Sequence, residues 1–481
     1  MLWIMLDWIL LLVMHIAGFA GAIHALMTKK DSRSALGWTA VCIGIPGIGV
    51  ILYLLFGLNR IATVAREWES RGLWDIGNTD TIQCAPGDSC ALHGDFDQRA
   101  FNMIATTGDR ICARPIMKGC HLDVLYDGTQ AYPAMLKAIR KAKRSVFMAS
   151  YIFGTRGVGG EFIDALAEAT QRGVDVRVII DGVGGLYSWP TAAFKLRRKG
   201  VRVSYFLPLL RNLYYTLHMN LRNHRKVLVV DGKLGFTGGL NIHEHNMGHN
   251  GKEATIHDMH FKVQGPIVGM LQDVFLKSWY FSTKEPIQKV VYYDNQPKGD
   301  MLCRGIPAGP HQQYALLQGM LCAALSAAQH HVRIMTPYFV LGSTLRSAIV
   351  TAALRGVNVE VILPDKNNLS FVKGAMESML PSLLIRGVKV YYRQGNFAHT
   401  KLFLVDDYCA FVGSSNLDMR SLYLNFEFNL EVYSKPLLKE LNDHFEQVKA
   451  SAKRITKGWL DSQSFWARFR NSLFRLFAPY L

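Results

Sequence analysis

The sequence predicts an α/β protein of two similar halves, each a mixed β-sheet flanked by helices, related by a pseudo-twofold and preceded by an N-terminal transmembrane helical hairpin. Three observations carry that prediction. Two long apolar segments open the chain. Past about residue 118 the order helix, strand, helix, strand, motif strand occurs twice. Each occurrence ends in one short pattern: His224-Arg225-Lys226, Asp231 and Gly238-Gly239-Leu240-Asn241, then His399-Thr400-Lys401, Asp406 and Gly413-Ser414-Ser415-Asn416. In both copies His and Lys are two apart, Asp follows Lys by five, and Asn follows Asp by ten.

The hairpin comes first. Residues 2–27 are mostly apolar, interrupted by Asp7, His15 and His24, and 35–58 contain no charged residue. Each is long enough for the roughly 20 residues of a membrane-spanning helix. The link Thr28-Lys29-Lys30-Asp31-Ser32-Arg33-Ser34 is short and charged. The first segment lacks a basic start and is long for a signal core, which argues against a cleaved signal peptide. Basic residues on both flanks leave the orientation open. Residues 59–118 read as a connector with some local structure.

Two domains follow, 119–285 and 286–481. Ser145-Val146-Phe147-Met148-Ala149-Ser150-Tyr151 parallels Val332-Arg333-Ile334-Met335-Thr336-Pro337-Tyr338, both as buried strands reaching a functional edge. Helix-to-strand passages ending in Gly173-Val174-Asp175-Val176 and Gly356-Val357-Asn358-Val359 also match, with each glycine at a helix C-terminus. The motif strands Val227-Leu228-Val229-Val230 and Leu402-Phe403-Leu404-Val405 are apolar. Side chains alternate along a strand, so His224 and Lys226 share a face, as do His399 and Lys401. A paired imidazole and ammonium, amide donors and a second imidazole are the groups needed to cleave a phosphodiester.

A formal charge of +17 over 481 residues implies an anionic partner, and nucleic acid and an acidic lipid surface both qualify. The eight cysteines show no zinc-binding spacing and read as free thiols, which favours a reducing, cytoplasmic compartment, although Cys84 with Cys90 or Cys112 with Cys120 could pair. His243, His245, His249, His257 and His260 read as a polar rim of the cleft rather than a metal site. Leu207 to Leu217, apolar and aromatic, reads either as core or as a cleft lip dipping into the bilayer. Residues 465–477 mix aromatics with arginines and read either as an interfacial helix or as a helix docked on the domain.

The paired H-x-K-x₄-D motifs, with Asn223-His224-Arg225-Lys226, Gly238-Gly239-Leu240-Asn241-Ile242 and Asn416-Leu417-Asp418-Met419-Arg420-Ser421, make the chain resemble the phospholipase D superfamily. Together with the hairpin they are similar to the bacterial cardiolipin synthases within it. The resemblance implies two phospholipase D-like repeats and a multi-pass protein of the bacterial inner membrane. It implies transfer of a phosphatidyl group from one phosphatidylglycerol to another, giving cardiolipin and glycerol. No cofactor and no metal are implied, and no nucleic acid partner. By analogy with relatives His224 is then the nucleophile and His399 the acid/base, with the pseudo-symmetry leaving the reverse assignment open. Lys226, Lys401, Asn241 and Asn416 hold the phosphate oxygens, and Asp231 and Asp406 complete the motifs by bracing the turns. Glu427 matches an acidic position of the family and is the candidate partner of the second histidine. On the first side relatives carry an acid four residues after the Asn, where this chain has His245; Glu244, one earlier, is the candidate here. Asp258-Met259-His260 resembles a cleft-lining segment. The alternatives are a hydrolase of the same superfamily or another phosphatidyl transferase, for example one drawing on phosphatidylethanolamine.

Overall fold

In the computed structural model one uninterrupted helix spans Leu2–Thr28, apolar and long enough to cross a membrane. The second apolar segment departs from the expected single helix. Helix Ser32–Gly44 stops at Gly44-Ile45-Pro46-Gly47, resumes as Ile48–Leu52 and finishes in a π-helical turn, Tyr53–Gly57. Proline supplies no N–H to continue the helix, and Gly47 turns the chain at φ 81°. Small residues let the two arms close on each other: a Cβ on Gly18 would fall 2.6 Å from the Cys42 carbonyl oxygen, and Ala22, Ala25, Cys42 and Tyr53 form a small buried cluster. The structure describes residues 2–29, 32–57, 98–112, 114–208, 221–248, 254–285, 294–309 and 315–476. Most of the connector, the segment 209–217 and His249 lie outside them.

The remaining elements belong to a separate unit. Its strands are β1 (Met117–Tyr126), β2 (Ser145–Ser150), β3 (Asp175–Asp181), β4 (Arg202–Phe206), β5 (Val227–Val230), β6 (Leu234–Gly238), β7 (Ile256–His257) and β8 (Met259–Gln264), then β9 (Met301–Ala308), β10 (His331–Met335), β11 (Phe339–Val340), β12 (Asn358–Pro364), β13 (Lys389–Arg393), β14 (Phe397–Ala398), β15 (Leu402–Val405), β16 (Cys409–Gly413), β17 (Leu417–Asp418), β18 (Glu427–Tyr433) and β19 (Lys453–Ile455). Among the described residues fifteen of these join in one sheet, ordered β19-β13-β12-β10-β15-β16-β18-β9-β1-β8-β6-β5-β2-β3-β4. Counted outward from the β1–β9 junction the two arms match strand for strand: β8 with β18, β6 with β16, β5 with β15, β2 with β10, β3 with β12 and β4 with β13. This is the expected pseudo-twofold. It places the axis at an antiparallel seam where Met117 pairs with Cys303 and Cys120 with Met301.

The sheet is mixed, as predicted: β2 runs parallel to β3 and β3 to β4, whereas β5 is antiparallel to both β2 and β6. Both motif strands are therefore central and wholly buried, which explains their unbroken apolar character. Gly173 and Gly356 end their helices at φ 84° and 93°, as the sequence predicts. One element outside the repeat crosses between the halves. Helix Gln98–Cys112 precedes the first half in the chain but buries Ala100, Phe101 and Ile104 in the core of the second, with Phe101 edge-on to Tyr433 at 4.8 Å. Cys42, Cys112, Cys120, Cys303, Cys322 and Cys409 are free thiols.

Candidate active site

Each motif histidine sits where the chain enters a central strand, and each is held by the opposite half of the molecule. The His224 N–H donates to the Phe426 carbonyl at 2.9 Å, and Nδ1 of His224 lies 3.0–3.1 Å from the Glu427 carboxylate. The His399 N–H donates to the His257 carbonyl at 2.7 Å, and Nδ1 of His399 lies 2.7 Å from Oδ2 of Asp258. The acids are themselves equivalent, one opening β18 and the other immediately preceding β8. Short cross-pairings fix the exchange: β7 lies parallel to β14, and Asn223 bridges Phe426.

This corrects two expectations. Glu427 partners the first histidine rather than the second, because β18 delivers it across the pseudo-twofold. Glu244 reaches neither histidine. It is exposed in a short turn, with its carboxylate lying over Gly157 where a Cβ would stand. Asp258 holds the second acidic position. Gly239 leaves room for it, since a Cβ there would fall 2.2 Å from a carboxylate oxygen of Asp258. The equivalent Ser414 instead donates its hydroxyl to Glu427 at 2.5 Å.

Period-two alternation works as expected. Lys226 shares the face of His224, its ammonium bonded to the His224 carbonyl at 2.7 Å and 5.7 Å from the Tyr151 ring centre. Lys401 reaches Nδ1 of His399 at 2.7 Å, the His399 carbonyl, and Asp258 at 3.4 Å. Between His224 and Lys226, Arg225 bonds the Glu427 carbonyl at 3.0 Å, Ser278 at 2.9 Å and the Ala308 carbonyl at 3.3 Å, which ties the halves together. Asp231 and Asp406 lie at the far ends of the motif strands. Asp231 accepts N–H bonds from Lys143, Arg144 and Ser145, and Asp406 from Gln329, His330 and His331. Both sit at positive φ, 53° and 47°. They brace the turns against β2 and β10.

Burial dominates the electrostatics. It lowers His224, as does Lys226, while Glu427 opposes. Burial and Lys401 bring His399 down to about 4 against the pull of Asp258. Lys226 is pushed down to about 7 by burial and by Lys401, and Lys401 is lowered chiefly by burial. For Glu427 and Asp258 burial alone would raise the pKa. The contacts of Glu427 with His224 and Lys226, and of Asp258 with Lys401 and His399, win and hold both acids below the ordinary carboxylate range.

One cavity of about 610 Å³ opens on the two histidines. His224, His399, Asn241 and Asn416 line it, with Tyr151, Tyr338, Arg222 and Arg420. The Asn241 side-chain oxygen accepts the Ile152 N–H at 3.2 Å, so its amide hydrogens are what it offers the cavity. Tyr151 stands edge-on to His224 at 5.2 Å and Tyr338 to His399 at 6.4 Å. The two tyrosines follow equivalent strands of the repeat, β2 and β10, a signal the sequence carried. His243 and His245 stack at 4.4 Å on the rim. His257 pairs with Asp127 at 2.8 Å, and His260 is buried beside Asp258 and Lys226.

The arrangement offers two imidazoles, each with Nδ1 fixed on a carboxylate and Nε2 left for chemistry, beside four cationic side chains. It suits an in-line exchange at a phosphodiester.

Comparison with known proteins agrees. Residues 135–279 and 321–449 match the family described as cardiolipin synthase, PLD-like domain, and 8–57 match the phospholipase D-nuclease N-terminal family. The major cardiolipin synthase ClsA of Bacillus subtilis is 30% identical over 94% of this chain and 95% of its own length. The cardiolipin synthase of Oceanobacillus iheyensis is 29% identical over 95% of each. Among solved structures, the phosphatidylserine synthase of Haemophilus influenzae superposes with a TM-score of 0.61 at 16% identity, covering 79% of this chain and all of that one, a likeness of fold.

Proposed function

The chain belongs to the cardiolipin synthase family of phospholipase D-like enzymes, and from that premise we propose that it transfers the phosphatidyl group of one phosphatidylglycerol to a hydroxyl of another through a phosphatidyl-histidine. The observation that carries the reading is the pair of histidines, each anchored at Nδ1 by an acid of the opposite half and both lining one cation-rich cavity.

His224 is the proposed nucleophile. Its Nε2 attacks phosphorus and the bond to the glycerol oxygen breaks, while the His399 imidazolium gives that oxygen its proton. Glycerol leaves. The hydroxyl of a second phosphatidylglycerol then loses its proton to His399 and attacks phosphorus, breaking the P–N bond and restoring His224. One phosphodiester replaces another, so no nucleotide is consumed. Lys226, Lys401 and the amides of Asn241 and Asn416 hold the non-bridging oxygens. Losing one such donor typically costs on the order of 10²-fold or more in rate. The low pKa of His399 fits this order of events: in the empty site the imidazole is neutral, and an arriving phosphodiester anion stabilises the imidazolium the first step needs.

On this reading 119–285 and 286–481 are the two catalytic domains. Both apolar segments would then cross the bilayer, a multi-pass arrangement in the inner membrane with the catalytic unit on the cytoplasmic side, as the free cysteines favour.

The test uses purified full-length protein in phosphatidylglycerol vesicles with chelator and no nucleotide, followed by mass spectrometry of the lipids. Cardiolipin and glycerol, both lost in His224→Ala and in His399→Ala, are expected. Phosphatidic acid as sole product would mean a hydrolase, and turnover only after phosphatidylethanolamine is added would change the donor.

A further inference from the structure

The C-terminal helix Phe465–Leu476 packs with its apolar face outward. It rests on helix Ser370–Leu384 through Asn471 and Phe474. Asn471 is 2% exposed and donates to Glu377 at 2.9 Å, and a Cβ on Gly374 would fall 2.6 Å from the Phe474 ring. Its other large apolar residues face away from that contact: Phe465 is 64% exposed, Trp466 73%, Phe469 55%, Leu473 45% and Leu476 68%. At about 100° per residue these five fall within an arc about 100° wide. Arg470 lies just past one edge of the arc, with Arg468 and Arg475 past the other, all three exposed. A surface helix in water normally turns its apolar stripe to the core. Here Asn471 and one aromatic ring, Phe474, hold the helix and the stripe is left for another medium.

The supporting helix connects this face to the cavity. Phe371 and Val372 in its first turn line the cavity, as does Leu369 before it. From the first half Tyr187 lines the same cavity, next to Leu186 and to Trp189, which is 83% exposed.

We propose that the outward face of helix Phe465–Leu476 docks on an anionic lipid bilayer and so holds the mouth of the cavity at the headgroup layer. Charge selects a bilayer over a second copy of the chain. In a twofold helix pair the flanking arginines would meet arginines, whereas lipid phosphates would neutralise them and the aromatic stripe would lie at the acyl boundary. The inference rests on the lipid-transfer reading above, because it concerns how that substrate is reached.

Two measurements on full-length protein test it. In vesicles of phosphatidylglycerol with phosphatidylcholine brominated in its acyl chains, the tryptophan emission of wild type minus that of Trp466→Phe isolates Trp466. Quenching by bromine and shielding from aqueous acrylamide are expected, with weaker quenching when phosphatidylglycerol is left out. A Phe469→Ser/Leu473→Ser variant should need a several-fold higher mole fraction of phosphatidylglycerol for half-maximal turnover in vesicles, with turnover of a monomeric short-chain phosphatidylglycerol unchanged. Acrylamide access to Trp466 without bromine quenching would overturn the proposal. Shielding without bromine quenching would also overturn it, since that is the mark of a protein–protein contact. Bromine quenching in a wild type that makes no cardiolipin would leave the docking in place and remove the lipid-transfer reading.

Discussion

Glu427 and His224 stand 203 residues apart in the chain and 3.0–3.1 Å apart in space, with the carboxylate supplied by one half and the imidazole by the other. Asp258 and His399 repeat the relationship in the reverse direction at 2.7 Å. A buried carboxylate at Nδ1 fixes the tautomer and stabilises the imidazolium.

Replacing that carboxylate by its neutral isostere should therefore disable chemistry more than folding. Glu427→Gln and Asp258→Asn are each expected to lower kcat by roughly 10²-fold or more, with lipid binding less affected. Turnover in vesicles, read beside the thermal unfolding midpoint, checks this. A variant that unfolds early but turns over normally per folded molecule would show that the acid is structural only.

The two histidines are separable by trapping. With a donor lipid carrying a good leaving group the first step needs no acid, so His399→Ala should accumulate a phosphatidyl adduct on His224, located by peptide mass spectrometry. His224→Ala should accumulate none. An adduct on His399 would reverse the assignment.

Lys226 sets an alkaline limit. Burial and Lys401 bring its pKa to about 7, so the ammonium assigned to the phosphate is present below that pH and lost as pH rises through it. Values of kcat/KM, which the low pKa of His399 already makes fall with rising pH, should fall more steeply above an apparent pKa near 7, and those of kcat at higher pH, because bound phosphodiester favours the ammonium. Lys226→Arg stays protonated and should move the limb upward even where its shape lowers the rate. An unmoved limb in Lys226→Arg assigns the titration elsewhere.

At Gly239 the absence of a side chain is what the site uses. The Cβ of Gly239→Ala would fall 2.2 Å from the Asp258 carboxylate and push it off His399. Activity should drop about 10- to 100-fold with the unfolding midpoint little changed. Near-normal activity would show that Asp258 has slack to move.

Asp406 is a stability residue. Its carboxylate accepts three backbone N–H groups, from Gln329 at 3.0 Å and from His330 and His331 at 2.8 Å, and its φ is 47°. Asp406→Ala is expected to cost on the order of 2–4 kcal/mol, through unpaired N–H groups and left-handed strain. Asp406→Asn keeps an acceptor and tolerates the backbone, so it should cost about half as much. Chemical denaturation of the detergent-solubilised protein measures both.

Local rules made much of this legible. Two-residue alternation placed His224 with Lys226 and His399 with Lys401, the glycines at 173 and 356 marked helix ends, and the repeat paired Tyr151 with Tyr338. The acids were harder, because a carboxylate's partner depends on strand order. Glu427 was visible as an acid, but only the cross-pairings of β7 with β14 and of Asn223 with Phe426 decide which imidazole it meets. Glu244 was named because it lies near Asn241 in the chain, and that proximity carried no information about the far side of the cleft. In the hairpin, apolar composition gave the length of the second segment. The break at Gly44-Ile45-Pro46-Gly47 comes from backbone chemistry, which composition does not register.

The seam between β1 and β9 makes one continuous sheet of the two halves, and Arg225, held by Ser278 of its own half, reaches the Ala308 and Glu427 carbonyls of the other. Walls built this way cannot swing apart like jaws without tearing a ladder of strands. The two catalytic histidines are thereby held at a fixed separation, one on each side of a single cavity. On the lipid-transfer reading, the glycerol released in the first step leaves by the same cavity in which the second lipid presents its hydroxyl.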